Sequence, residues 1–177
     1  AEVQQSVANT SRHLQVLLRA GLVRTRRDGN RIYYALADDR VGELWAMLRG
    51  FAAEQFAEIE RLAGAYLGDR GQLHTVTRAE LKRRLGGDTV VLDVRPLPEY
   101  RAGHIAGAIS APIDELASRL QDLSPDAEVV AYCRGPYCVY ADQAVRMLRD
   151  RGQRAARLED GCPEWARAKL PVESAPE

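Results

Sequence analysis

The sequence predicts two domains: a small α+β region, then an α/β domain built on a mostly parallel sheet. Three observations predict it. Residues 1–36 show a helical apolar stripe and then two β-prone runs around an Asp-Gly turn. A long stretch of helical periodicity, Val41 to Leu67, follows. Beyond it, short apolar runs alternate with helical segments, as in parallel sheets covered by helices on both faces. A chain of 177 residues with 46% hydrophobic content is long enough for two small cores.

The first helix is expected over Glu2 to Ala20, with Ser6 a candidate N-cap ahead of Val7 and the stripe Val7, Leu14, Leu17 and Leu18. Gly21 supplies its stop. Leu22 to Arg27 and Arg31 to Leu36 then pair as a hairpin about Asp28-Gly29-Asn30. In the helix Val41 to Leu67, the positions Val41, Leu44, Leu48, Phe51, Gln55, Glu58 and Leu62 follow a heptad frame, an apolar but imperfect stripe that points to a dimer interface. Residues 68–74 read as a linker. Thr77 and Glu80 form a capping box for a helix over Arg78 to Leu85. Strands are expected at Thr89 to Val94, Glu128 to Tyr132 and Ala155 to Leu158. Helical segments are expected at Ser118 to Leu123, Val139 to Arg151 and Pro163 to Ala168.

The 25 basic and 25 acidic residues cancel, yet their distribution is uneven. Residues 1–36 hold six arginines against Glu2 and Asp28, whereas 41–66 are net acidic, so any nucleic-acid footprint lies at the N-terminus. No apolar run is long enough to span a membrane, and no leader-like segment opens the chain. Three cysteines separated by four and twenty-three residues do not make a disulfide scaffold. A cytoplasmic protein with free thiols is expected. No cofactor is called for, and the Cys133/Cys138 spacing is not that of a zinc pair.

A helix followed by a basic hairpin is the arrangement of a recognition helix and wing. The helix presents Gln5, Ser6, Asn9, Thr10 and Arg12 to a major groove, and the hairpin carries Arg26, Arg27, Asn30 and Arg31 toward phosphates or a minor groove. The run Ser6 to Leu14, with Leu17, Ala20-Gly21-Leu22-Val23 and Gly29 to Tyr34, resembles the ArsR/SmtB family of winged helix-turn-helix repressors over about residues 1–66. The resemblance implies a homodimer, here through residues 41–67, that binds operator DNA until an inducer releases it. Family members carry further helices ahead of the segment matched here, and these are missing upstream of Ala1. Residues 40–67 contain no His or Cys, which argues against a metal-sensing site on that helix.

The second half turns on Glu128-Val129-Val130-Ala131-Tyr132-Cys133-Arg134-Gly135-Pro136-Tyr137-Cys138-Val139. A buried strand delivers Cys133 to the carboxyl edge of a parallel sheet, where such folds place their sites. A sharp turn and a helix N-terminus aim backbone N–H groups at the sulfur, which lowers a thiol pKa and makes a nucleophile. Arg134 adds positive charge. Val91-Leu92-Asp93-Val94-Arg95, Glu99-Tyr100, Gly103 to Ile109, Pro112, Gly161-Cys162-Pro163-Glu164-Trp165 and Leu170-Pro171-Val172 resemble the rhodanese family over about residues 75–173. The resemblance implies a persulfide on Cys133, loaded from a donor such as thiosulfate or polysulfide, cradled by the six-residue loop that includes Arg134, Gly135, Tyr137 and Cys138, and passed to a thiol acceptor or cyanide. A related phosphatase would need Arg six places after the cysteine, where this chain has Val139. Asp93, Arg95 and His104 read as structural, and Cys162 as packing. Cys138 is either a small buried residue or a thiol that resolves oxidised or sulfurated Cys133 as a disulfide.

Two functions are therefore expected. The first is a one-component transcriptional regulator whose second domain carries or senses sulfane sulfur. The alternative is a sulfurtransferase whose winged helix dimerises or tethers it.

Overall fold

The computed structural model describes residues 6–55, 57–68 and 70–175. The chain divides into two compact units, residues 1–59 and 60–177. In the first, α1 (Val7–Arg19) is capped by Ser6, whose hydroxyl accepts from the Asn9 N–H at 3.2 Å. Strands β1 (Val23–Asp28) and β2 (Arg31–Leu36) pair antiparallel with Asp28 opposite Arg31, leaving Gly29-Asn30 as a two-residue turn. Gly29 has φ +55°, the left-handed conformation such turns require. The helix expected from Val41 starts earlier, as α2 (Asp39–Gln55), because the Asp38 carboxylate accepts from the Arg40 N–H at 2.9 Å at its start. Helix α3 (Ala57–Leu67) continues into the second unit. The portion of the first expected helix before Ser6, including Gln5, lies outside the described residues.

The second unit is a five-stranded parallel sheet in the order β3-β8-β7-β4-β6. Its elements are β3 (Thr75–Val76), α4 (Arg78–Arg84), β4 (Thr89–Asp93), α5 (Leu97–Ala102), β5 (His104–Ile105), β6 (Ile109–Ser110), α6 (Leu116–Arg119), β7 (Glu128–Cys133), α7 (Tyr140–Asp150), β8 (Arg154–Gly161), α8 (Cys162–Arg167) and β9 (Val172–Glu173). Strands β5 and β9 pair antiparallel apart from the main sheet. The alternation of β7 explains the double core. Val129, Ala131 and Cys133 face a layer containing Ala141, Ala144, Val145 and Leu148 of α7, while Val130 and Tyr132 face Leu81 of α4 and Trp165 of α8. A continuous apolar run is what a strand covered on both faces needs.

Three expectations are adjusted. Strand β8 runs on to Gly161 rather than ending at Leu158, because its last residue pairs with Cys133 across a register shift. The segment expected over Ser118 to Leu123 is α6 followed by a 3-10 turn, Leu120–Asp122. Helix α7 starts at Tyr140, after the turn closed by the Cys138 N–H donating to the Gly135 carbonyl at 3.1 Å.

Candidate functional site

Strand β7 ends on Cys133, which is 1% exposed at the carboxyl edge of the sheet. The loop Cys133 to Cys138 then doubles back before α7. Gly135 has φ +152°, a conformation that side-chain-bearing residues rarely adopt, and this lets the loop turn at its second step. Gly161, at the end of β8, forms the wall behind the loop. A methyl group there would overlap the Gly135 amide nitrogen and the Arg134 carbonyl carbon.

Cys133 and Cys138 are joined as a disulfide with a Cα–Cα separation of 6.3 Å, within the span such a bond allows. The sequence left two readings of Cys138 open; the structure places its sulfur on Cys133. Arg134 does not present an uncompensated charge to the sulfur. Its guanidinium is paired with Glu99 of α5 at 2.7 Å and lies 5.6 Å over the Tyr140 ring. Tyr137 is exposed at the loop's outer edge.

At the ends of β4 and β7 lies a buried polar network. Asp93 and Arg95 are both buried and paired at 2.5 Å, and Arg95 also donates to the Gly103 carbonyl at 2.7 Å. Tyr132 donates to Asp93 at 2.7 Å and accepts from the Ile105 N–H at 3.0 Å. Burial and the Asp93 carboxylate together raise the Tyr132 hydroxyl well above its ordinary pKa, so it stays a donor. Burial opposes the Arg95 cation, but Asp93 outweighs it and Arg95 is raised. His104 stacks on Tyr100 and its Nδ1 lies 2.8 Å from the Tyr100 carbonyl oxygen. Cys162 is a buried free thiol, raised chiefly by burial.

Sequence reasoning missed Arg70, Asp142 and Arg157. Arg70 donates to the carboxylate of Asp142 in α7 at 2.6 Å and to the loop carbonyls of Pro136 at 2.7 Å and Cys138 at 3.4 Å. Asp142 is fully buried, and Arg157 Nε lies 2.9 Å from its other oxygen, a charge contact out of hydrogen-bond alignment. Burial, with Arg70 beside it, lowers Arg157 from the usual arginine range. No local pattern marks these residues, because each partner lies far away in sequence.

In the first unit, Asn9, Thr10 and Arg12 lie on α1 beyond the Ser6 cap. Arg26 and Arg27 lie on β1 and Arg31 on β2, with Asn30 in the turn between. Arg26 sits 5.1 Å over the Tyr33 ring and 3.9 Å from Asp28, and Arg27 donates to the Gly29 carbonyl. Among the described residues, no helix is long and apolar enough to cross a membrane.

A parallel sheet that hands a buried cysteine to a six-residue loop and a following helix defines an α/β domain with its candidate site at the carboxyl edge of the sheet. Residues 77–168 match the rhodanese-like domain, and the chain belongs to that family. It is 47% identical over 169 residues to the HTH-type transcriptional regulator Rv0324 of Mycobacterium tuberculosis, a match covering 95% of this chain and 74% of that protein. A sulfurtransferase of Allochromatium vinosum is 31% identical over 102 residues, 56% of this chain and 94% of that one. The crystal structure of a rhodanese-related protein from Thermoplasma volcanium has a TM-score of 0.52 at 28% identity, over 56% of this chain and 97% of its own.

Proposed function

We propose that this protein is a DNA-binding transcriptional regulator of the ArsR winged-helix type whose rhodanese-like domain carries sulfane sulfur on Cys133. The observation that carries the reading is the 95% coverage of the chain by a relative named as an HTH-type transcriptional regulator, in a chain that also holds the Cys133 loop. The cap residue Ser6 and Asn9, Thr10 and Arg12 of α1, together with Gln5, face operator bases and backbone, and Arg26, Arg27, Asn30 and Arg31 contact phosphates or a minor groove. Residues 41–67 form the homodimer interface. Leu44, Trp45, Leu48 and Phe51 support this, being 57–60% exposed on one helix.

In the reduced protein, the Cys133 thiolate attacks the outer sulfur of thiosulfate. The donor's sulfur–sulfur bond breaks, sulfite leaves with the electron pair, and Cys133 becomes a persulfide. The loop amides stabilise its negative charge, and since Arg134 is engaged by Glu99, those dipoles carry the task. An acceptor thiolate then takes the outer sulfur. In the absence of an acceptor, the Cys138 thiolate attacks the inner sulfur, expels hydrosulfide, and leaves the Cys133–Cys138 disulfide.

The test is operator affinity of the intact protein, reduced, with and without a polysulfide donor. A shift of tenfold or more is expected. Sulfur transfer with unchanged affinity would favour the enzyme reading, to which the likeness to a sulfurtransferase also points.

A further inference from the structure

Residues 70–74 lie along the helix that follows the cysteine loop. Besides the bonds made by Arg70, the Gln72 carbonyl accepts from Arg149 of α7, and Leu73 is buried with Cys133, Ala141, Ala144, Val145 and Leu148. The His74 carbonyl accepts from the Arg157 N–H at 2.9 Å, tying the same segment to β8. The segment is therefore attached at both ends of α7 and to the strand beside the loop.

We infer that Arg70 is a positioning residue that ties the sulfur state of the Cys133–Cys138 loop to the segment leading back toward α3. The guanidinium is mostly buried, and its three nitrogens engage the Asp142 carboxylate and two loop carbonyls, at positions 136 and 138. A rigid planar fork makes such simultaneous contacts only while its acceptors hold one arrangement. One of those acceptors belongs to Cys138 itself, whose position the disulfide sets. Asp142 does not move with the loop, because it is buried in the first turn of α7 beside Arg157. Arg70 is thus anchored on a fixed carboxylate and reads the position of the loop against it.

Reduction by a dithiol breaks the sulfur–sulfur bond, gives the two cysteines two electrons and two protons, and leaves the reductant as a disulfide. The Cys138 carbonyl is then released from the closed arrangement, and the grip of Arg70 on the loop weakens. Coupling of this kind is reciprocal. If the closed loop holds Arg70, Arg70 stabilises the closed loop, and removing it makes the disulfide easier to reduce. That the signal reaches DNA rests on the regulator reading above; the tie between loop and segment does not.

The experiment is a redox titration of the intact protein in dithiothreitol buffers. It compares wild type, Arg70→Gln and Arg70→Lys, and reads hydrogen exchange of residues 70–74 in the oxidised and reduced forms. Arg70→Gln should shift the equilibrium about tenfold toward the dithiol, a midpoint about 30 mV higher. In wild type, exchange in the segment should rise at least tenfold on reduction, and in Arg70→Gln it should be fast in both states. Should Arg70→Gln fail to fold, Arg70→Lys decides: it retains a charge for Asp142 but lacks the fork, and the same direction of shift is expected. A folded variant with an unchanged midpoint, or a wild-type segment indifferent to reduction, overturns the inference. A shifted midpoint with redox-independent operator affinity in wild type upholds the tie and overturns the regulator reading instead.

Discussion

Replacing Gly161 with Ala tests how tightly the cysteine loop is held. Gly161 has an extended backbone (φ −132°, ψ −177°) that any residue adopts, so the substitution brings no backbone strain. The whole effect is steric. The added methyl would lie 2.6 Å from the Cys133 carbonyl oxygen and overlap the Gly135 nitrogen and Arg134 carbonyl carbon, where ordinary contact begins near 3.4 Å. All three obstructing atoms are backbone, so no side chain can swing away. The loop must retreat by about 1 Å or the end of β8 must bend by as much. Overpacking of this kind costs about 1–3 kcal/mol. In a domain of about 100 residues that lowers Tm by roughly 5–20 °C. A misplacement near 1 Å at the reacting group costs about 100-fold in rate. The assay is cyanide-dependent thiocyanate formation from thiosulfate beside a calorimetric melt. A variant with Tm unchanged and turnover within twofold of wild type would show that the loop is not held against β8.

Other outcomes follow from the same contacts. Tyr132→Phe removes a buried donor from Asp93 and leaves the Ile105 N–H without its acceptor, so urea denaturation should register a loss of about 2–4 kcal/mol; a loss under about 0.5 kcal/mol contradicts it. Arg26→Glu with Arg27→Glu should weaken operator binding at all sequences and flatten its salt dependence while sparing sulfur transfer, and an unchanged salt slope counts against these arginines as phosphate contacts. Burial raises the Cys162 thiol, so at pH 8 a smaller fraction is thiolate than for an ordinary cysteine. After reduction, iodoacetamide should therefore label Cys138 at least about tenfold faster than Cys162, and equal rates would refute this.

Elements with a local cause were legible in the sequence. Ser6 and Thr77 cap the helices that their side chains predict, and the Gly29 turn closes the hairpin. The apolar runs of β4 and β7 form adjacent central strands. Two-residue strands such as β3, β5, β6 and β9 carry no periodicity, and only their pairing partners define them. At the candidate site, Cys133 and its loop were legible because strand, turn and helix are contiguous. The spacing of Cys133 and Cys138 left two roles open for the second thiol. The pairing of Arg134 with Glu99, the reach of Arg70 to Asp142 and the wall formed by Gly161 join residues 35, 72 and about 26 positions apart. The fold alone creates such contacts, so Arg70 read only as part of a linker.

The function proposed for the second domain depends on Cys133 carrying sulfur. Its most direct test is mass spectrometry of the reduced protein after exposure to thiosulfate or polysulfide, for wild type and Cys133→Ser, each checked by thermal melt. The expected result is one added sulfur atom on the peptide holding Cys133, released by cyanide as thiocyanate, and neither signal from the equally folded Cys133→Ser variant. Undiminished thiocyanate formation by a folded Cys133→Ser protein would contradict it.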